Sequence, residues 1–146
     1  MAVEIRQERP NAIPELQAFY ASAGNAAEIS PGDTLISARQ DGSLVGVVRL
    51  APEAGVLVLR GMMVSLPNRR RRVGSDLLAA LEPIIGERVC YCLCPPRLEG
   101  FYGAIGFVRM AEDDAPPHLK ARWDHYLARG DNQIIMKRPA RGMAAS

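Results

Sequence analysis

The sequence predicts an α/β (α+β) fold, a mixed and mostly antiparallel sheet of about six to seven strands flanked by about four helices. Three observations carry that expectation. Apolar runs at Thr34 to Arg39, Leu44 to Leu50 and Val56 to Val64 are separated by turn signals, a strong Asp41-Gly42 hairpin and a looser Pro52 to Gly55, so they read as an antiparallel meander. A strand–helix–strand passage then runs from Val64 to a strand at Arg88 to Cys94, which predicts a parallel pairing reached by a right-handed crossover. Four segments also place apolar residues at helical spacing, and shorter apolar runs near both ends supply the remaining strands.

Taken in order, Val3 to Arg6 is a short first strand, and Pro10 to Ala23 is a helix carrying Ile13, Leu16, Phe19 and Tyr20 on one stripe. Pro10 at its front and Gly24 just past its end are the expected punctuation. Asn25 to Asp33 reads as a loop or a short second helix. Arg49 and Arg60 lie inside otherwise apolar strands, where an unpaired charge is costly, so each must reach solvent, a carboxylate or an anionic ligand. Whether they share a face depends on the register of the second hairpin. The helix from about Arg72 lines up Leu77, Leu78, Leu81 and Ile85, and Pro83 with Gly86 should distort or end it.

Cys90, Cys92 and Cys94 alternate along the next strand and so share a face. Three sulfurs in line suit small buried hydrophobes better than tetrahedral zinc, and no metal is expected. Pro96 to Ala104 is a short helix bearing Phe101 and Tyr102, Phe107 to Met110 a strand, and Asp113 to Pro117 a loop. His118 to Arg129 is helical, with Leu119, Trp123 and Tyr126 on one side, and Gln133 to Lys137 closes the sheet. Arg138 to Ser146 reads as a disordered tail, so a single domain is expected over residues 1–138, with 139–146 outside it.

Composition narrows the function classes. Net charge is only +2, although 16 of the 18 basic residues are arginine, so positive character is local. No apolar run reaches the length of a membrane span and the N-terminus lacks a signal-peptide pattern, which makes a cytoplasmic protein the expectation.

The local positive charge falls in Leu57 to Leu78, LVLRGMMVSLPNRRRRVGSDLL. Here an apolar strand passes through a Pro-Asn turn and four arginines into Val73-Gly74-Ser75, where a helix opens. The first turn of a helix leaves backbone N–H groups unpaired and carries the equivalent of about half a positive charge, so anions are favoured there. Gly74 removes a Cβ and allows close approach to the main chain, and Arg69, Arg70, Arg71 and Arg72 can add charge-assisted contacts. A contact at about 4 Å is worth about 1 kcal/mol in water and about 4 kcal/mol where the effective dielectric is near 20. A solvated charge run is the competing reading, and the position between strand and helix argues against it.

At these residues the chain resembles the GNAT superfamily of acyl-CoA-dependent N-acyltransferases, whose pyrophosphate loop reads Gln/Arg-x-x-Gly-x-Gly/Ala. Val64, Pro67, Arg69, Gly74, Ser75, Leu77 and Leu78 fall in register. Arg72 departs from the pattern, standing where the family usually has its first glycine. A second match, LEGFYGAIGFV at Leu98 to Val108, resembles the family's later Ala-x-x-Phe-Tyr-x-x-x-Gly-Phe motif, and Pro95 stands near the family's usual Asn.

The resemblance implies acetyl-CoA as cosubstrate, held in a gap where the two central parallel strands splay apart. It implies cofactor contacts from Met62, Met63, Val64, Arg69 to Arg72, Val73, Gly74 and Ser75, with main-chain N–H groups near Met62 as oxyanion donors. Tyr102 matches the family's general acid, since a phenol is protonated at neutral pH and suits protonation of a departing thiolate. A packing aromatic is the competing reading. The acceptor is expected to be a small-molecule or peptidyl amine, with Glu28, Arg49, Arg60 and Tyr91 as its candidate contacts. No Glu or Asp stands in Leu57 to Val64, where many relatives carry the base; water, Glu28 or Tyr91 stay open for that task. A CoA-binding regulatory or catalytically weak module is the alternative. Nucleic-acid binding through the arginines ranks last, because no stacking aromatics flank them. Families of this kind often form dimers, so a homodimer belongs among the expectations.

Overall fold

The computed structural model describes residues 3–65 and 72–141. Its strands are β1 (Glu4–Glu8), β2 (Thr34–Gln40), β3 (Ser43–Glu53), β4 (Val56–Val64), β5 (Cys90–Cys94), β6 (Val108–Met110) and β7 (Ile134–Arg138). Its α-helices are α1 (Ile13–Ser22), α2 (Val73–Ile85), α3 (Glu99–Gly103) and α4 (Pro117–Ala128). The strands form one mixed sheet in the order β1-β2-β3-β4-β5-β7-β6. The predicted mixed sheet and its parallel crossover are therefore present, with Leu57 opposite Cys90 and Val58 opposite Tyr91 in the β4–β5 ladder. No helix among the described residues is long and apolar enough to cross a membrane.

The chain forms two compact units, the first comprising residues 1–52 and 59–84. Here β2 pairs antiparallel with β1 and β3, through registers such as Ile5 opposite Ala38 and Ser37 opposite Val47. Residues 35–39 of β2 are all buried rather than alternately so, which requires cover on both faces. Leu16 and Tyr20 of α1 supply one cover, packing with Ile29, Leu35 and Val47. Helix α2 supplies the other, and Gly46 makes it possible: a Cβ there would lie 3.1 Å from both Val73 and Leu77. Arg39 binds Glu8 at 2.8 Å and Glu15 at 2.8 Å, joining β1, β2 and α1. Its guanidinium holds the Glu15 carboxyl below the ordinary carboxylate range.

The second unit comprises residues 53–58 and 85–146. Strand β5 runs antiparallel to β7, and β7 to β6, with Cys92 opposite Met136 and Arg109 opposite Met136. Cys90, Cys92 and Cys94 are all buried and free, as the alternation predicts. Trp123 anchors α4 by donating to the Gln133 carbonyl at 2.8 Å.

Several boundaries differ from the sequence reading, among them β3, read as Leu44 to Leu50 and observed as Ser43–Glu53, and β5, read from Arg88 and observed from Cys90. Pro83 lies inside α2 without ending it, and the helix stops, as the sequence reading allowed, where Gly86 turns left-handed at φ +61°. The segment read as a loop at Asp113 to Pro117 overlaps a 3₁₀ turn at Glu112–Asp114, and α4 already begins at Pro117, whose fixed φ suits a first helical position. Arg138 is no part of a tail: it is the last residue of β7 and is fully buried. Its Nε donates to Ile105 O and its Nη1 to Gly86 O, each at 2.7 Å, so it satisfies carbonyls at the ends of two helical segments. The sequence reading places it at the start of a disordered tail. Arg141 also donates to Ile105 O at 3.2 Å, and residues 142–146 lie outside the described residues.

Candidate active site

Strand β4 is regular until Gly61, which takes φ +66° in mid-strand. That conformation kinks or bulges a strand and is open to glycine without steric cost. The Gly61 carbonyl accepts a 2.7 Å hydrogen bond from the Tyr20 hydroxyl of α1, and a Cβ added at Gly61 would overlap that hydroxyl. Met62, Met63 and Val64 follow, all half-buried, with Met63 packed against the cluster that contains Tyr20.

Arg49 lies on the α1 face of β3, opposite Leu35. Its guanidinium sits 6.0 Å from the centre of the Tyr20 ring, and its Nη1 donates to Asp33 at 3.0 Å and to the Glu28 carbonyl at 3.1 Å. The carboxylate that a strand-buried arginine demands is thus Asp33, which is buried with it. Arg60 is half-buried and close enough for its charge, like that of Arg49, to act on Tyr20. Burial outweighs both cations and pushes the Tyr20 phenol up to about 12. Glu28 contributes its main chain here, and its side chain is exposed.

Helix α2 opens at Arg72, an exposed residue at φ +63° whose carbonyl accepts from Asp76 N at 2.9 Å. The N–H groups of Val73, Gly74 and Ser75 precede that first bond and have no carbonyl within the helix. The residue that departs from the family's glycine therefore still adopts a conformation typical of glycine. Pro67 and Arg69 to Arg71, the rest of the loop read from sequence, lie outside the described residues.

In the second unit Tyr102 is buried on α3, edge-on to Phe101 at 4.9 Å and Phe107 at 6.1 Å between ring centres. Burial first, then the neighbouring Cys92 and Cys94 thiols, raise its phenol far above the ordinary tyrosine value. Contact with Cys94 and burial likewise hold the Cys92 thiol well up. Tyr91 is half-buried on β5, and Cys94 lies 3.7 Å from the Met136 sulfur.

A family model described as an acetyltransferase (GNAT) domain matches residues 5–117. The chain belongs to the GNAT acetyltransferase family. Among solved structures, this GNAT chain is similar to N-acetylglutamate synthase from Neisseria gonorrhoeae in complex with coenzyme A and N-acetylglutamate, at 22% identity and a TM-score of 0.68. That likeness covers 97% of this chain but only 36% of the synthase. A GNAT acetyltransferase from Staphylococcus aureus matches at 17% identity and TM-score 0.66, over 94% of this chain and 98% of its own. An aminoglycoside 6'-N-acetyltransferase complexed with coenzyme A matches at 16% identity and TM-score 0.63, over 92% and 95%. At these identities the likeness speaks to the fold. No curated protein matches the chain by sequence.

For a GNAT chain, the described geometry gathers Gly61, Met63, Arg49 and Arg60 around Tyr20, while Arg72 to Ser75 form the opening of α2. The sequence reading assigned Tyr20 to an apolar stripe and gave Gly61 no role. An isolated glycine inside an apolar strand was the available signal, since it marks a bulge or a close backbone approach.

Proposed function

We propose that the protein transfers an acetyl group from acetyl-CoA to the amine of a small molecule or peptide. The observation that carries this reading is the start of α2, where Arg72 keeps a glycine-like φ of +63° and the Val73, Gly74 and Ser75 N–H groups precede the first helical hydrogen bond. Such a turn fits a pyrophosphate, and Gly74 keeps side-chain bulk away from it. Arg69 to Arg72 would add charge, and Met62 to Val64 main-chain contacts.

In this reading acetyl-CoA supplies the activated acyl group, and the chain binds it, orients it and manages charge and protons. The acceptor nitrogen attacks the thioester carbonyl, a C–N bond forms, and the C–S bond breaks. The Met62 N–H stabilises the developing oxyanion. Tyr102 serves as hydrogen-bond donor to the departing sulfur. A phenol raised above its ordinary value of about 10 gives its proton to a thiolate of pKa about 8.5 only uphill, so the ammonium proton of the tetrahedral intermediate must resupply it. Asp33 is engaged by Arg49, which leaves water, exposed Glu28 or half-buried Tyr91 to deprotonate the incoming amine.

The test combines calorimetry with an amine screen. Acetyl-CoA should bind saturably at one site per chain, some amines should release free CoA, and Tyr102→Phe should lower kcat about ten- to a hundredfold with acetyl-CoA affinity unchanged. Binding with no turnover of any amine would favour a CoA-binding regulatory module. Absence of binding would end both readings.

A further inference from the structure

We propose that Tyr20 is a positioning residue that holds the Gly61–Met62 peptide and so aims the Met62 N–H. The inference rests on the acetyltransferase reading above, which makes that N–H the oxyanion donor. A peptide group is planar and trans, so the Gly61 carbonyl and the Met62 N–H are parts of one rigid plate and point in opposite directions. Fixing either end fixes the other.

A carbonyl in a regular strand is normally held by a neighbouring strand. The Gly61 carbonyl also accepts from outside the sheet, from a phenol on α1 at 2.7 Å. That phenol is itself immobilised. Tyr20 has no exposed surface, packs against Leu16, Ile29, Leu35 and Val47, and lies beneath Arg49, which is tied to Asp33 and to the Glu28 carbonyl. Burial keeps the hydroxyl protonated across the physiological range, so it remains a donor. The fit also runs the other way, because a Cβ at position 61 would occupy the volume of the hydroxyl. The phenol and the left-handed glycine require each other, and the Met62 N–H is turned away from α1 as the result.

The full chain can be labelled with carbonyl-¹³C glycine and ¹⁵N methionine, which leaves NMR signals from Gly61–Met62 and Gly142–Met143 alone. A chain with Gly142→Ala tells the two apart. In the wild type, acetyl-CoA should shift the Met62 amide further than CoA does, because only acetyl-CoA carries a thioester carbonyl, and that difference is the acetyl-specific shift. In Tyr20→Phe the Gly61 carbonyl signal should move, and the acetyl-specific shift at Met62 should fall to less than about half. The dissociation constant of acetyl-CoA should stay within about twofold, since pyrophosphate contacts carry most of it. A turnover assay with any amine found in the screen should show kcat lowered about tenfold and KM for acetyl-CoA little changed. A folded Tyr20→Phe chain with an unchanged Met62 response would overturn the inference and leave the acetyltransferase reading standing. No binding of acetyl-CoA by the wild type would overturn that reading, and the inference with it. Tyr20→Trp, which keeps a ring and an N–H donor but displaces it, serves as a second variant: the Met62 response should again be reduced, and a full response would count against the inference.

Discussion

Two residues of the first unit share nearly the same positive φ, Gly61 at +66° and Arg72 at +63°, in very different surroundings. Gly61 is in mid-strand with the Tyr20 hydroxyl filling the place where a Cβ would go. Arg72 is exposed at a helix start, where a side chain leads into solvent. At position 61 glycine is demanded twice, by conformation and by packing. At position 72 it is favoured by conformation alone, which costs an L-residue about 1–2 kcal/mol. A departure from a glycine pattern is therefore tolerable where the surroundings are open, and Arg72 gains a cation beside the helix opening in return.

The largest expected effect that sharpens this contrast is Gly61→Ala. Left-handed strain and overlap with the phenol should together destabilise by about 3 kcal/mol and lower Tm by about 10 °C. Adding Tyr20→Phe should recover part of that loss, as a thermal double-mutant cycle would show; strict additivity would mean that the hydroxyl is not what glycine accommodates.

A smaller effect concerns the phenol itself. Because the Tyr20 pKa is raised to about 12, the folded chain holds this proton more tightly than the unfolded chain does. Its contribution is complete below the unfolded value of about 10 and is lost as pH rises toward 12. Relative to Tyr20→Phe, the wild type should lose about 1 kcal/mol between about pH 9 and pH 11, read from urea midpoints. Equal losses in the two chains would place the phenol in water rather than under Arg49.

The smallest effect should come from Arg72→Gly. Relief of strain is partly offset by the greater freedom of glycine in the unfolded chain, so a gain of up to about 1 kcal/mol is expected. Arg72→Ala keeps the strain and removes the guanidinium, and should leave Tm nearly unchanged while weakening acetyl-CoA several-fold. If Arg72→Gly lowers Tm, the side chain contributes more than its backbone costs.

Much of the fold was legible. The bounds of β4 as read from sequence, Val56 to Val64, are those observed, because turn chemistry punctuates it on one side and apolar content changes on the other. The cysteine stripe was legible for the same reason, since a period of two places alternate residues on one face whatever lies beyond it. Arg49 was legible only in kind. Its need for a carboxylate follows from burying a charge, but its partner could be any acid that the fold brings near, and the fold brings Asp33. Arg138 was misread because polarity near a terminus ordinarily means solvent, whereas carbonyls left over at the ends of helical segments can draw an arginine inward.

The sequence by itself determined the local matters of this protein: strand and helix periods, the hairpins, the crossover, and a spacing of motifs sufficient to place it near the GNAT family. Each depends on residues close in the chain, whose geometry follows from backbone sterics and turn preference. Only the tertiary structure decided that a tyrosine on α1 reaches a carbonyl 41 residues away and that Arg72 adopts a glycine-like turn. Those outcomes depend on which surfaces pack together, and a hydroxyl on an apolar stripe does not announce the backbone atom it will find.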